Sequence, residues 1–253
     1  MGTKNESKLN HLLQNIPQGT VVLASWLIKH GYSHDLQQKY IRSKWLEKMG
    51  KGAYKRTGDK VDFFGALYAL QSQAKKQVHI GGRSSLILLG FSHYIEMEKN
   101  TITLIAPQGF KLPLWFSNYQ WENPIELIRS NMLPANLALS NYDTENFSLK
   151  VSIPARAILE CLSLAPSRFD LEEAWFLMEG LNALHPSIVQ ELLENCRSVK
   201  AKRLFLYFAE KAGHSWFKYL TIEKINLGKG KRSIVKQGVL IPKYQITIPK
   251  NLA

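Results

Sequence analysis

Two rhythms of apolar and polar positions alternate along the 253-residue chain. Leu9, Leu12, Leu13 and Ile16 follow a helical spacing and predict a first helix over Glu6–Gln14. Val22, Leu23, Trp26 and Leu27 predict a second over Val22–His30, stopped by Gly31. Ser33 is a natural N-cap, and Asp35 suits the first turn of a third helix running to about Lys44. In that helix Leu36, Tyr40 and Ile41 form the inner stripe, leaving His34, Gln37, Gln38, Lys39, Arg42 and Lys44 outside. After Trp45 the pattern shortens to strand, turn and strand around Gly50-Lys51-Gly52. That order predicts a winged helix-turn-helix, whose second helix enters the DNA major groove while the wing touches backbone.

Downstream, Asp62–Lys76 reads as an amphipathic helix, followed by a Gly-rich break at His79–Arg83, and Ser84 or Ser85 is expected to cap a helix through Gly90. The expected division is 1–80 and 81–253, with the boundary between about 78 and 95. Thr101–Ala106, Leu112–Phe116 and Leu149–Ile153 read as strands. Pro154 opens a helix, and Leu171–Leu184, Ser187–Asn195 and Lys202–Ala212 predict three more. From Ile225 the tail returns to strand character. The fold class expected is α+β, a winged helix-turn-helix domain followed by a larger mixed α+β domain.

Charge gives this frame a partner. The net charge is +13 and the isoelectric point near 9.6, which favours a polyanion. Residues 1–60 hold 11 Lys/Arg against 4 acids, residues 61–199 hold 10 against 14, and residues 200–253 hold 12 against 2. Two basic ends flanking an acidic middle predict two separate contact surfaces. Ser33, His34, Gln37, Gln38, Lys39, Arg42, Lys44, Lys48, Lys51, Lys55 and Arg56 are the candidate DNA-binding set. Gln37, Gln38 and Arg42 suit base edges, and Lys48, Lys51, Lys55 and Arg56 suit phosphates. Arg203, Lys229, Lys231, Arg232 and Lys236 form a candidate C-terminal surface for DNA or an acidic partner. Aromatics interleave with cations over 200–236, the one motive for RNA binding, although Trp115, Phe116, Trp121, Trp175, Phe176, Phe205, Tyr207, Phe208, Trp216 and Phe217 read chiefly as core.

Other function classes lose ground. No apolar run nears the roughly 20 residues of a membrane span, and MGTKNESKLN has no apolar signal core. Glu6 stands where a myristoylation motif has Ser or Thr, so a cytoplasmic protein without a membrane partner is expected. Cys161 and Cys196 form no CxxC pair and are expected as buried, reduced thiols. Gly228-Lys229-Gly230 lacks the third glycine of a dinucleotide fingerprint, with Ser233 in its place, and there is no Walker loop or GxSxG elbow. His30 and His34 have metal-pair spacing, but Gly31 separates them onto different elements. His11, His79, His93, His185 and His214 are scattered, and Glu96/Glu98 and Glu172/Glu173 read as dipole-complementing first turns. No catalytic residue, metal or cofactor is expected, and the protein reads as a non-enzyme.

Several stretches together resemble the AbiEi antitoxin family, the repressor–antitoxin half of bacterial abortive-infection toxin–antitoxin pairs. They are VVLASWLIKHGYS…YIRSKWLEKMGKGAYKR, SIPARAILECL, SVKAKRLFLYFAEKAGHSWFKYL and INLGKGKRSIVKQGVLIPKYQITIP. The resemblance covers nearly the whole chain. It implies that the N-terminal domain binds double-stranded promoter repeats of its own operon. It further implies that the C-terminal domain assists repression and neutralises a nucleotidyltransferase-like toxin, directly or indirectly. Two alternatives are a plain winged-helix regulator without a toxin and an RNA-binding protein.

Overall fold

The computed structural model describes residues 3–91 and 101–253. His93 and the Glu96/Glu98 pair lie outside the described residues. The chain forms two compact units, and neither is one continuous stretch. The first comprises residues 1–79, 109–124 and 141–150; the second comprises 80–108, 125–140 and 151–253.

The first unit opens with α1 (Thr3–Asn15), β1 (Val22–Leu23), α2 (Ala24–Lys29) and α3 (His34–Arg42), followed by β2 (Leu46–Gly50) and β3 (Ala53–Arg56). The strands pair in the order β1-β3-β2, all antiparallel, with Val22 opposite Tyr54 and Lys48 opposite Tyr54 from the other side. Helix, strand, two helices and a returning hairpin closed by a three-stranded sheet make a winged helix. Its core joins Leu12, Ile16, Val22, Leu27, Tyr32, Tyr40, Leu46 and Tyr54. Complete burial of Leu12 and Leu27 is worth about 1.5–3 kcal/mol each, and it pins α1 and α2 to the sheet.

Asp62 caps α4 (Phe63–Tyr68) by accepting from the Gly65 N–H at 2.9 Å. The predicted single helix over Asp62–Lys76 instead widens into a π turn at Ala69–Gln73, where Ala74 N–H donates to Ala69 O. At the end of that turn Gln73 pairs with both Leu23 N–H and Val21 O at 2.8 Å, serving β1 as a substitute strand neighbour. The two later segments contribute aromatics to this unit. Phe116 and Trp121 pack edge-on against Phe63, and Tyr142 stacks on Phe64. Leu112–Phe116, predicted as a strand, contains the start of a short helix, α6 (Leu114–Ser117). Pro113 opens that turn, and its carbonyl accepts from Phe116 and Ser117 N–H.

In the second unit a five-stranded sheet runs in the order β6-β5-β4-β8-β7. Its members are β4 (His79–Ile80), β5 (Ile102–Ala106), β6 (Ile125–Arg129), β7 (Leu139–Asp143) and β8 (Ser148–Ser152), with His79 and residues 141–150 grouped in the first unit. Pairs β5/β6 and β4/β8 are parallel. Ser84 and Ser85 are not caps: they lie inside α5 (Gly82–Leu88), whose N-cap is Gly81. Ser84 Oγ instead joins β5, donating to Thr101 O and accepting from Thr103 N–H. A Cβ on Gly81 would stand 2.4 Å from Ile105 Cγ1 and 2.5 Å from Glu160 Oε2, so only glycine fits.

The core of this unit is helical. Helix α7 (Pro154–Leu164) starts at Pro154 as predicted and is buried from Ala155 to Leu162. Around it lie α8 (Leu171–Glu179), α9 (Pro186–Asn195) and α10 (Val199–Lys211). Helix α8 stops at Gly180, short of the predicted Leu184. Burial on all sides of α7 encloses an ion pair, Arg156 Nε to Glu160 Oε1 at 2.8 Å. Glu160 Oε2 also accepts from Gly82 N–H and Ser152 Oγ, and Arg156 donates to Pro134 O, so the buried charges have polar partners on several sides. A second small sheet, β10-β11-β9, is built from β9 (Arg232–Ser233), β10 (Val239–Ile241) and β11 (Ile246–Ile248).

Candidate nucleic-acid interface

The N-terminal unit positions α3 by three local devices. Gly31 turns the chain with φ +82°, a left-handed conformation that glycine adopts without strain. Ser33 Oγ accepts from Leu36 N–H at 3.3 Å and caps the helix, as predicted. The third device was not anticipated. Gln37 is completely buried and its Nε2 donates to Tyr32 O at 2.9 Å and to Ala24 O at 3.4 Å. It ties the inner side of α3 to the turn and to α2, and it does not belong to the outer face. A helical wheel explains the miss: Gln37 lies between Ile41 and Tyr40 around the axis, within the inner stripe.

The outer face is therefore His34, Asp35, Gln38, Lys39 and Arg42, all exposed. None of these five makes a side-chain hydrogen bond or ion pair among the described residues. The helix ends at Arg42, earlier than Lys44, because Lys44 adopts φ +56° and reverses the chain into β2. The Lys44 side chain is exposed there, beside a half-exposed Trp45.

The wing carries its cations unequally. Lys48 and Lys51 are exposed and make no side-chain hydrogen bond or ion pair among the described residues. Lys55 faces Glu47 across the hairpin at 3.2 Å and donates to Asp59 O at 2.8 Å. Arg56 is turned inward, its Nη2 donating to Leu13 O and Ile16 O at the C-terminal end of α1. It satisfies carbonyls that the helix leaves open, and it is removed from the phosphate-gripping set.

The histidines take local roles. His30 stacks on Trp26 and bonds its carbonyl at 2.8 Å, His11 Nδ1 meets Tyr32 OH, and His214 Nε2 meets Met178 O. Among the described residues no group of three potential ligands converges on a metal site. Asp170 caps α8 by accepting from Glu172 and Glu173 N–H, and Glu173 pairs with Arg83 at 2.7 Å.

A profile described as the AbiEi antitoxin N-terminal domain of a transcriptional regulator matches residues 5–97. A second, described as transcriptional regulator, AbiEi antitoxin, type IV toxin–antitoxin system, matches residues 99–249. The chain belongs to the AbiEi antitoxin family. Among solved structures it is similar to the RV2827C protein from Mycobacterium tuberculosis, at 17% identity and a TM-score of 0.57. That match covers 97% of this chain and 91% of the other, and it supports the fold alone. No curated protein matches the chain. No described helix is long and apolar enough to cross a membrane.

In this AbiEi chain the C-terminal surface is smaller than its sequence suggests. Lys229, Lys231, Arg232 and Lys236 are exposed. Arg203 is 3% exposed and spends its guanidinium on the carbonyls of Leu227, Gly228, Gly230 and Gln245. It moulds the loop that presents Lys229 and Lys231, and it does not face a partner. The aromatics beside it, Phe205, Tyr207 and Phe208, are buried, as is Lys202. Of the residues read as core, Phe176 alone is markedly exposed. Burial pushes the Cys161 thiol well above its ordinary range and raises Cys196 as well, and both are free thiols.

Proposed function

We propose that this AbiEi antitoxin represses its own operon by placing α3 in the major groove of promoter repeats, with the wing on the flanking backbone. One observation carries the reading: a winged helix whose outward helix face and wing turn hold Lys39, Arg42, Lys44, Lys48 and Lys51 exposed and without ion pairs. Such cations have no ion pair to break before they meet DNA, and those that reach phosphates gain by releasing condensed counterions. The second part of the proposal is that the C-terminal unit neutralises a nucleotidyltransferase-like toxin, with Lys229, Lys231, Arg232 and Lys236 as the contact surface. Its support is the family match and the cationic excess of residues 200–253.

Footprinting of the full chain on its own upstream duplex tests the first part. Wild type is expected to protect repeats there, and Lys39→Ala/Arg42→Ala to lose that protection; equal protection by both would reject it. Charge reversal at Lys229, Lys231, Arg232 and Lys236 tests the second. Cells expressing the product of the adjacent gene should lose rescue, and survival with normal repression would reject that surface. The RNA-binding alternative has less support, because Phe205, Tyr207, Phe208 and Trp216 are buried and Phe217 is half-buried, which leaves Tyr219 as the exposed aromatic of residues 200–236.

A further inference from the structure

With Gln37 buried, the base-reading residues of α3 must be assigned again, and the helix geometry permits it. At about 100° per residue and taking His34 as zero, Gln38 lies near ~40°, Arg42 near ~80°, Asp35 near ~100° and Lys39 near ~140°. The buried and half-buried residues Leu36, Gln37, Tyr40 and Ile41 occupy the remaining arc. The middle of the outward face thus belongs to Gln38, Arg42 and Asp35, with His34 and Lys39 at its two edges. A helix lying in the major groove turns its midline to the base edges and its flanks to the two phosphate walls, and its N-terminal turns go deepest.

Asp35 is the acid of this face, in the first turn where the helix dipole favours a carboxylate. It is the one acid among five exposed positions, and it makes no hydrogen bond or ion pair among the described residues. The cap it could have supplied is already made by Ser33 Oγ. Lys39 stands one turn on without pairing to it. Against phosphate a carboxylate is repelled, whereas against a base edge it needs a donor, and the amino group of cytosine is the matching one. Asparagine or glutamine pairs with adenine and arginine with guanine.

We infer that Asp35, Gln38 and Arg42 are the base-reading residues and that Asp35 selects cytosine. The inference rests on the DNA-binding reading above. The rise from Asp35 to Arg42 is about 10.5 Å, or about three base-pair steps of 3.4 Å. A half-site should therefore present cytosine, adenine and guanine contacts in that order within about four base pairs.

Selection by the full-length chain from a randomised duplex library tests this. Asp35→Asn should switch one selected position from cytosine to adenine while the others stay unchanged. Asp35→Ala should lose about five- to 150-fold discrimination at that position alone. If both variants select the wild-type sequence, or bind every duplex uniformly tighter, Asp35 is only a first-turn charge and the inference is overturned while DNA binding stands. If wild type binds no duplex, the DNA-binding reading falls and takes this inference with it.

Discussion

Replacing Lys48 and Lys51 by alanine removes the two wing cations that no acid neutralises, and the effect can be set in advance. Each lysine that meets a phosphate contributes about 0.9 to the slope of log affinity against log salt. Over the fourfold range from about 50 to about 200 mM, one contact accounts for about 3.5-fold in affinity and two for about 12-fold. The double variant should therefore flatten the slope by about 1.8. Lys55 is the internal control. It sits 3.2 Å from Glu47 and donates to Asp59 O, so its charge is already largely balanced and its stem is held along the hairpin. Lys55→Ala should change the slope by much less than one unit. Fluorescence anisotropy with a labelled upstream duplex measures all three proteins. An unchanged slope in the double variant, or an equal change in Lys55→Ala, would refute the assignment of wing cations from their pairing.

Other outcomes follow from the same structure. Gln37→Ala should destabilise the first unit by about 1–3 kcal/mol without altering the selected base sequence, whereas Gln38→Ala should alter that sequence at little cost in stability; chemical denaturation and duplex selection separate them. Arg203→Ala strands the carbonyls of Leu227, Gly228, Gly230 and Gln245 and should cost about 2–4 kcal/mol in denaturant unfolding; a loss under about 0.5 kcal/mol would show that loop to be held otherwise. Burial raises both thiols, so Cys161 and Cys196 should resist an aromatic disulfide reagent at neutral pH until the chain unfolds, and labelling of the native protein within minutes would contradict this.

Where local chemistry dictates structure, the sequence was legible. Ser33 as a cap, Gly31 as a stop, Pro154 as a helix start and Gly50-Lys51-Gly52 as a hairpin each act through neighbours a few residues away, and each took its expected place. What was not legible depends on distant partners. The inward role of Arg56 needs the carbonyls at the end of α1, more than 35 residues earlier. Arg203 reads as a surface cation until the loops at Leu227–Gly230 and Gln245 fold over it. Leu112–Phe116 is an apolar run too short for its period to decide between strand and helix. Gln37 is the instructive case, because the sequence reading set it on the outer face although a helical wheel puts it between Tyr40 and Ile41, where it is buried. Its amide made it look like a reader of adenine, yet the same amide satisfies the backbone of the helix-turn-helix.

The central claim is that the outward face of α3 and the wing turn meet duplex DNA. Hydrogen–deuterium exchange of the full chain, with and without its upstream duplex, tests it most directly. Protection concentrated over residues 33–51 is the result predicted; unchanged exchange there while the duplex is bound would contradict it.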